Sequence, residues 1–360
     1  MNANRLIVGL NGPVLTKEET ALFRDIQPAG YILFSRNLVD AEQIRALTDS
    51  LVALSYDHPF ISIDQEGGRV WRTREFSSAP PDAATFADKA TPNQIARFGA
   101  LTGQHLEILG INLNFAPVLD LDHYPDQTNG LRGRCWGDNS QDVINKAGVF
   151  NRWMRKQKIL SCGKHFPTNG LALSDPHHDL PVADISKADL LKEDLIPYTA
   201  LMPELDAIMA CHLRFPQLDP DMPASLSHPI LTGLLRDQLG YKGLILTDDL
   251  DMGAIVQNYG RGNDIKLALE AGADLALVCH EMANLPDTLK DLEIEDDPDV
   301  EKRIAKQRRK LKPAPHFTQS RWDEINQQID ELTKEIIGQP RFTPTAPTQS
   351  PVEELSLIHI

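Results

Sequence analysis

Residues 161–178 read SCGKHFPTNGLALSDPHH, and residues 243–249 read GLILTDD. In both, an apolar run of strand length ends in charged side chains: Lys164 and His165 in the first, Asp248 and Asp249 in the second. After the first, a loop punctuated by Pro and Gly delivers Asp175, His177 and His178. Cations, imidazoles and carboxylates at a strand end are what a site needs to hold a polar substrate and move protons. Two such places in one chain point to a polar active site at one end of a parallel sheet.

Working outward, short apolar runs recur at Leu6–Leu10, Gly30–Phe34, Phe60–Asp64, Leu113–Pro117, Cys162–Phe166, Ala207–His212, Leu244–Thr247 and Leu275–Cys279. Amphipathic stretches lie between them, among them Asp40–Ser55, Pro92–Leu109, Gln141–Gln157, Lys187–Leu201 and Pro229–Leu239. Ile44, Leu47, Leu51 and Leu54 show the three-and-four spacing of a helix face. Eight strands alternating with helices predict an α/β fold, a (β/α)8 TIM-type barrel, over a doubly wound sheet, which usually needs fewer strands. Asp64, Asp120, Lys164, His165, His212 and Asp248 all fall at or just beyond strand C-termini, which converge on one mouth in such a barrel.

The barrel is expected to span residues 1–312. Leu292–Glu301 is acidic and Glu301–Lys312 dense in Lys and Arg, which reads as a solvated helix whose basic face meets acidic neighbours. Residues 313–338 carry a C-terminal helical extension, Ser320–Ile337, expected on the barrel exterior. Residues 339–360 begin rich in Pro, Thr and Gln and read as a disordered tail.

At 360 residues with 41% hydrophobic and 24% charged side chains, the composition is that of a soluble globular protein. A net charge of −15 argues against nucleic acid as a partner, because no basic footprint exists for phosphates. No apolar run reaches ~18 residues, so no membrane partner is expected. Arg5–Leu10 is too short for a signal-peptide core. The four cysteines, Cys135, Cys162, Cys211 and Cys279, form no C-x-x-C and read as buried free thiols in a reducing, cytoplasmic setting. The sequence does not fix the oligomeric state.

Each polar position carries two readings. Asp64, in IDQEGGRV (63–70), could accept hydrogen bonds from sugar hydroxyls or cap a turn. Glu66 and Arg69 read as a supporting ion pair. Lys164 and His165 are adjacent, so strict pleating sends them to opposite faces, though a broken pleat lets both reach the pocket. An ammonium emerging from apolar sequence is costly unless paired. Asp175 beside His177 and His178 suits acid/base work, metal ligation or a plain surface loop. Asp248 could be a nucleophile or charge stabiliser, with Asp249 capping the next turn and Asp251 facing solvent. Arg132 and Arg134 are equal candidates for a hydroxyl or carboxylate clamp.

Together GYILFSRNLVDAEQI (30–44), IDQEGGRV (63–70), INLNFAPVLDLD (111–122), KHFPTNG (164–170), SDPHHDLP (174–181), DAIMACH (206–212) and YKGLILTDDLDM (241–252) resemble the single-domain bacterial β-N-acetylglucosaminidases (β-hexosaminidases) of glycoside hydrolase family 3. The seven matches come in the family's order over about residues 5–280. The resemblance implies a retaining exo-glycosidase that needs no cofactor or metal. Its substrate would be a small saccharide, a muropeptide-type wall fragment ending in β-linked N-acetylglucosamine, met in cell-wall recycling. It further implies Asp248 as nucleophile and His177 as acid/base with Asp175 as its dyad partner, while Asp64, Arg134, Lys164 and His165 hold substrate. Larger members place the acid/base in a second domain; residues 280–360 are too few to form one, so a barrel loop is expected to supply it.

The chain departs from the family pattern at Thr168-Asn169, where Gly-His is usual, at Pro176, where Ser is usual, and at Arg132, often Gly. Pro176 restricts the loop carrying His177, and Asn169 cannot titrate. Alternatives are therefore a catalytically weakened sugar-binding homologue, a β-glucosidase-like member, and a substrate-assisted hexosaminidase using Asp248-Asp249. A metal-dependent barrel hydrolase gathering His165, His177, His178, His212, Asp64 and Asp248 is a further alternative; it lacks the usual His-x-His after strand one.

Overall fold

In the computed structural model the described residues are 3–125, 129–172, 180–280, 285–292 and 297–338. Asp175, His177, His178 and the tail 339–360 therefore lie outside them. Eight parallel strands close into a barrel: β1 (Leu6–Val8), β2 (Gly30–Leu33), β3 (Phe60–Ile63), β4 (Leu113–Asn114), β5 (Leu160–Phe166), β6 (Ala207–Ala210), β7 (Leu244–Asp249) and β8 (Leu275–Val278). Each lies within an expected run or overlaps one, and β1 pairs with β8 through Leu6 and Ala276 to close the circle. The expected (β/α)8 fold is the observed one.

Side-chain alternation sorts the strands into two cores. Ile7, Phe60, Leu113, Cys162, Ala207, Met209, Leu244, Leu246, Leu275 and Leu277 pack together inside the barrel. Their neighbours Leu6, Val8, Ile61, Ile63, Ile208, Ile245 and Ala276 pack with the surrounding helices instead. A strand has a period of two, so the inward rows Phe60–Ser62, Cys162 and Leu244–Leu246 continue to Asp64, Lys164 and Asp248. Each buried Leu, Ile or Phe contributes roughly 1.5–3 kcal/mol, so three ionisable groups at the tops of such rows must be matched by polar partners.

Local chemistry fixes the helices. Asp40 caps the helix Ala41–Leu54, its side chain accepting from Gln43 N. Thr91 forms a capping box with Gln94 at the start of Pro92–Ile108. The single expected helix 187–201 is two, Lys187–Lys192 and Ile196–Leu201. Pro197 has no N–H to continue a helix and instead sits in the first turn of the second. Pro229–Gln238 winds as a π-helix.

The basic helix Pro298–Arg308 is not simply solvated. Val300, Ile304 and Leu311 join the inner core and floor the barrel. Its cations meet acidic neighbours as expected: Arg303 to Asp274 (2.7 Å), Arg308 to Asp57 (2.9 Å) and Lys310 to Asp206 (2.6 Å). The last helix, Gln319–Ile337, buries Trp322, Ile325, Ile329 and Leu332 on one face. The Trp322 ring lies 4.6 Å from that of His105 and 6.4 Å from that of Phe76, and Asn326 Oδ1 accepts from Ser78 N at 2.8 Å.

Candidate active site

The barrel mouth holds a continuous ionic network. Lys164 Nζ lies 2.6 Å from Asp64 Oδ1 and 2.6 Å from Glu66 Oε1. Arg134 grips Glu66 with both arms of its guanidinium, at 2.7 and 2.8 Å, the geometry that suits Arg to a carboxylate. Its Nη2 also stands 3.4 Å from His165 Nε2. His165 Nδ1 meets Asp120 Oδ2 at 2.7 Å, which orients the ring. The same Asp120 accepts from the main-chain N–H of His165 (3.2 Å) and of Asn169 (2.6 Å).

Local backbone explains how neighbours share a pocket. The register between β5 and β6 shifts between Lys164 and Phe166, so His165 leaves the ladder and escapes strict alternation. After β3 the chain turns back in a two-stranded ribbon, Gln65–Gly67 with Val70–Trp71. Gly68 at its turn has φ +56°, and a Cβ there would lie 2.4 Å from Asp82 Cβ, so the turn requires glycine.

Electrostatics keep the acids ionised. Burial opposes ionisation of Asp64, but Lys164 and Arg72 overcome it and hold the carboxyl below its ordinary range. Burial likewise opposes the charge on Glu66, and Arg134 and Lys164 depress its pKa strongly. Burial also disfavours the Lys164 ammonium, yet Asp64 and Glu66 raise its pKa. At the end of β7 burial disfavours the Asp248 carboxylate. The imidazoles of His165 and His212, the Asp249 amide and Lys164 outweigh that and lower its pKa. Asp249 N donates to Asp248 Oδ1 at 2.8 Å, and His212 Nε2 donates to Asp249 O at 2.8 Å.

Exposure separates ligand-facing groups from support. Side chains of Asp64 and Arg134 are 16% and 17% exposed, whereas Lys164 is 2% and Glu66 4%. Asp64, Arg134, Lys164 and His165 are thus brought together, with Asp248 in the same electrostatic neighbourhood. Asp175 and His177 lie outside the described residues, but both stems of their segment are held at this end of the barrel. Asn169 is tied to Asp120, and Arg214, beyond β6, exchanges main-chain hydrogen bonds with Pro181 and Ala183 (3.0 and 2.9 Å).

Two readings need correction. Glu66 pairs with Arg134 and Lys164, while Arg69 is exposed and donates to the carbonyls of Arg132 and Gly130. The ribbon leaves Glu66 buried and Arg69 exposed, so the carboxylate meets the cations inside the mouth. Asp251 does not face solvent; it is 8% exposed. Its Oδ2 accepts from the amides of Cys279 and His280 (2.8 and 2.7 Å), and its other oxygen meets Arg261. Of the two arginine candidates, Arg134 enters the pocket and Arg132 is exposed. Asp249 does cap the next turn, accepting from Asp251 N, and also faces His280 at 3.3 Å. Arg72, which touches Asp64 at 3.4 Å, was not singled out from sequence; its only signal was a second arginine just past the double glycine. All four cysteines are buried and free, their thiols pushed up by burial. Among the described residues no group of His, Cys, Asp and Glu is arranged to hold a metal ion, and no helix is long and apolar enough to cross a membrane.

The chain is similar to known proteins over most of its length. A protein named β-hexosaminidase from Pseudomonas aeruginosa is 35% identical over 280 residues, covering 78% of this chain and 83% of that one. One of the same name from Pasteurella multocida is 33% identical over 333 residues, 89% and 91% of the two chains. NagZ from Neisseria gonorrhoeae, solved in complex with N-trifluoroacetyl-D-glucosamine, superposes with a TM-score of 0.80 at 28% identity, over 91% of this chain and 98% of that one. Residues 7–309 match the N-terminal domain of glycosyl hydrolase family 3. That match, with a barrel whose mouth carries the ionic network above, makes the chain a member of glycoside hydrolase family 3.

Proposed function

We propose that this protein is a retaining exo-β-N-acetylglucosaminidase that works on small, wall-derived saccharides of the muropeptide type in the cytoplasm. The supporting observation is Asp248: it ends the inward row of β7 beside His165, His212 and Lys164, which keep it ionised. A carboxylate at a barrel mouth next to cations and hydroxyl-binding groups suits attack on an anomeric carbon. The β-hexosaminidase relatives and NagZ support the N-acetylhexosamine specificity.

In the first step Asp248 forms a bond to C1 of the terminal sugar as the C1–O bond to the leaving group breaks. His177, oriented by Asp175, gives its proton to the departing oxygen. In the second step the imidazole takes a proton from water, the hydroxide bonds to C1, and Asp248 leaves as carboxylate. Two inversions return the β configuration. Asp64, Arg134, Lys164 and His165 hold hydroxyls of the bound sugar, with the carboxylate of Asp64 and the guanidinium of Arg134 as the more open groups.

The departure at Asn169 is compatible with this reading. Its contact to Asp120 is made by the main-chain N–H, so that link does not depend on a histidine side chain.

A slowly turning-over fluorinated N-acetylglucosaminide tests the proposal. Intact mass should rise by one glycosyl unit in the wild type and not in Asp248→Ala. A wild type that hydrolyses the parent glycoside yet forms no adduct would refute Asp248 as nucleophile and point to attack by the substrate's own acetamido group.

A further inference from the structure

A cavity of about 280 Å³ opens at the end of the barrel opposite the mouth. Its walls are the helix Ala41–Leu54, the residues that lead into β3, β4 and β5, and the segment just past the basic helix. Val52, Ile159, Pro313 and Ala314 line it with apolar surface, and Arg45, His58, Lys158 and Lys312 bring basic groups to it. Small-molecule pockets usually run from ~300 Å³ upward, so this one suits a small ligand. Two carboxylates also line it. Asp49 is held by Arg45 at 2.9 Å, and burial raises the pKa of Glu107 against the pull of Arg321 and Lys158.

The basic groups have donors to spare. Arg155 and Lys310, close by in sequence, both hold Asp206, at 2.8 and 2.6 Å. Lys158 and Lys312 make no hydrogen bond or ion pair among the described residues. Arg45 places Nε on Asp49 and Nη1 on the carbonyl of Pro315, which leaves Nη2 without a contact among the described residues. His58 is half-buried and likewise unpartnered there. Burial and Arg308 lower its pKa, so at pH 7 the ring is neutral with one N–H to give. Lys158 adds a backbone signal. It follows the C-cap of the helix Ser140–Lys156 with φ +66°, a left-handed conformation that glycine takes freely and lysine adopts only under strain. Strain of this kind collects at functional sites, and here it holds a cation at the foot of β5.

We propose that this cavity is a binding site for a small organic phosphate monoester: the phosphate dianion accepts from Lys158, Lys312, His58 and Arg45 Nη2, and its apolar body lies against Val52, Ile159 and Pro313. A dianion fits because three cations face two carboxylates there, one of them already taken, in a chain of net charge −15. The site is independent of what the mouth binds.

Phenyl phosphate serves as the probe, titrated calorimetrically into the purified full chain. The wild type should bind it saturably at a single site, inorganic phosphate more weakly, and phenol not at all. Saturating N-acetylglucosamine should leave that binding unchanged. Lys158→Gly and Lys312→Gln should each weaken phenyl phosphate roughly tenfold or more, whereas Lys158→Arg should keep most of it. Because glycine suits φ +66°, Lys158→Gly should fold and turn over an aryl β-N-acetylglucosaminide at the wild-type rate. Absence of saturable binding at millimolar phenyl phosphate overturns the inference. So does binding in Lys158→Gly within about twofold of wild type, the result expected if the lysine only answers the dipole of the helix it follows. Displacement of the probe by N-acetylglucosamine overturns it too, by moving the phosphate to the mouth.

Discussion

Lys164→Met is the perturbation that weighs the ionic network most directly. The ammonium is 2% exposed and sits 2.6 Å from each of two carboxylates. Methionine keeps an unbranched stem, one heavy atom shorter, and removes the charge together with its N–H donors. Glu66 keeps its bidentate Arg134, but Asp64 is left with Arg72 at 3.4 Å. Breaking a buried pair by removing one partner costs about 3–5 kcal/mol, because a charge is stranded. At roughly 2 °C per kcal/mol for a large single domain, the melting temperature at pH 7 should fall by about 6–10 °C, read by circular dichroism. Adding Asp64→Asn removes the stranded charge, so the double variant should recover at least ~1.5 kcal/mol relative to the sum of the single changes. The pH dependence has a definite sign. In the wild type the pKa of Asp64 is lowered, so its contribution is present above the ordinary carboxylate range and lost as pH falls through the folded value. Without Lys164, burial prevails and the folded value rises. The variant's deficit should therefore shrink as pH drops towards 4. An additive double variant, or a deficit that does not change with pH, would refute the reasoning.

Because the pKa of Asp248 is lowered from 3.8, the acid limb of kcat/KM should lie below that value wherever the fold survives, and His212→Asn should move it upward. A limb that stays put in the variant removes His212 as a contributor. Trp322→Ala should destabilise by roughly 3–5 kcal/mol, seen as a fall in denaturation midpoint, since the ring is 5% exposed against His105 and Phe76. Iodoacetamide at neutral pH should label none of the four buried cysteines in the folded protein and all four in denaturant, counted by mass. Turnover should survive exhaustive dialysis against a chelator; its loss, restored by zinc, would revive the metal-dependent alternative.

The barrel was legible because burial on both faces writes parallel strands as unbroken apolar runs. Leu244–Leu246 and Leu275–Val278 stand out for that reason. Asp64, Lys164 and Asp248 were legible as polar residues closing such runs. The rest depended on contacts that sequence separation hides. Glu66 stands three residues before Arg69 in the sequence, but its partners are 68 and 98 residues away, at Arg134 and Lys164. Asp251 reads as one more acid after Asp248-Asp249, and only the return of β8 shows that it receives the amides of Cys279 and His280. The ribbon after Asp64 is too short to give a period. The basic helix 298–308 has so few apolar residues that its role as a floor rests on Val300 and Ile304 alone, with Leu311 just beyond it.

The strut from Asn326 to Ser78 joins residues 248 positions apart. Ribosomes add roughly 5–20 residues per second, so this partner trails Ser78 off the assembly line by about 12–50 s. Until it arrives, the outer edge of the segment that carries Arg72 leans on nothing from the C-terminal helix. Nascent chains stalled before residue 319 are therefore expected to hold a closed barrel whose entrance stays unbraced until the helix 319–337 is made.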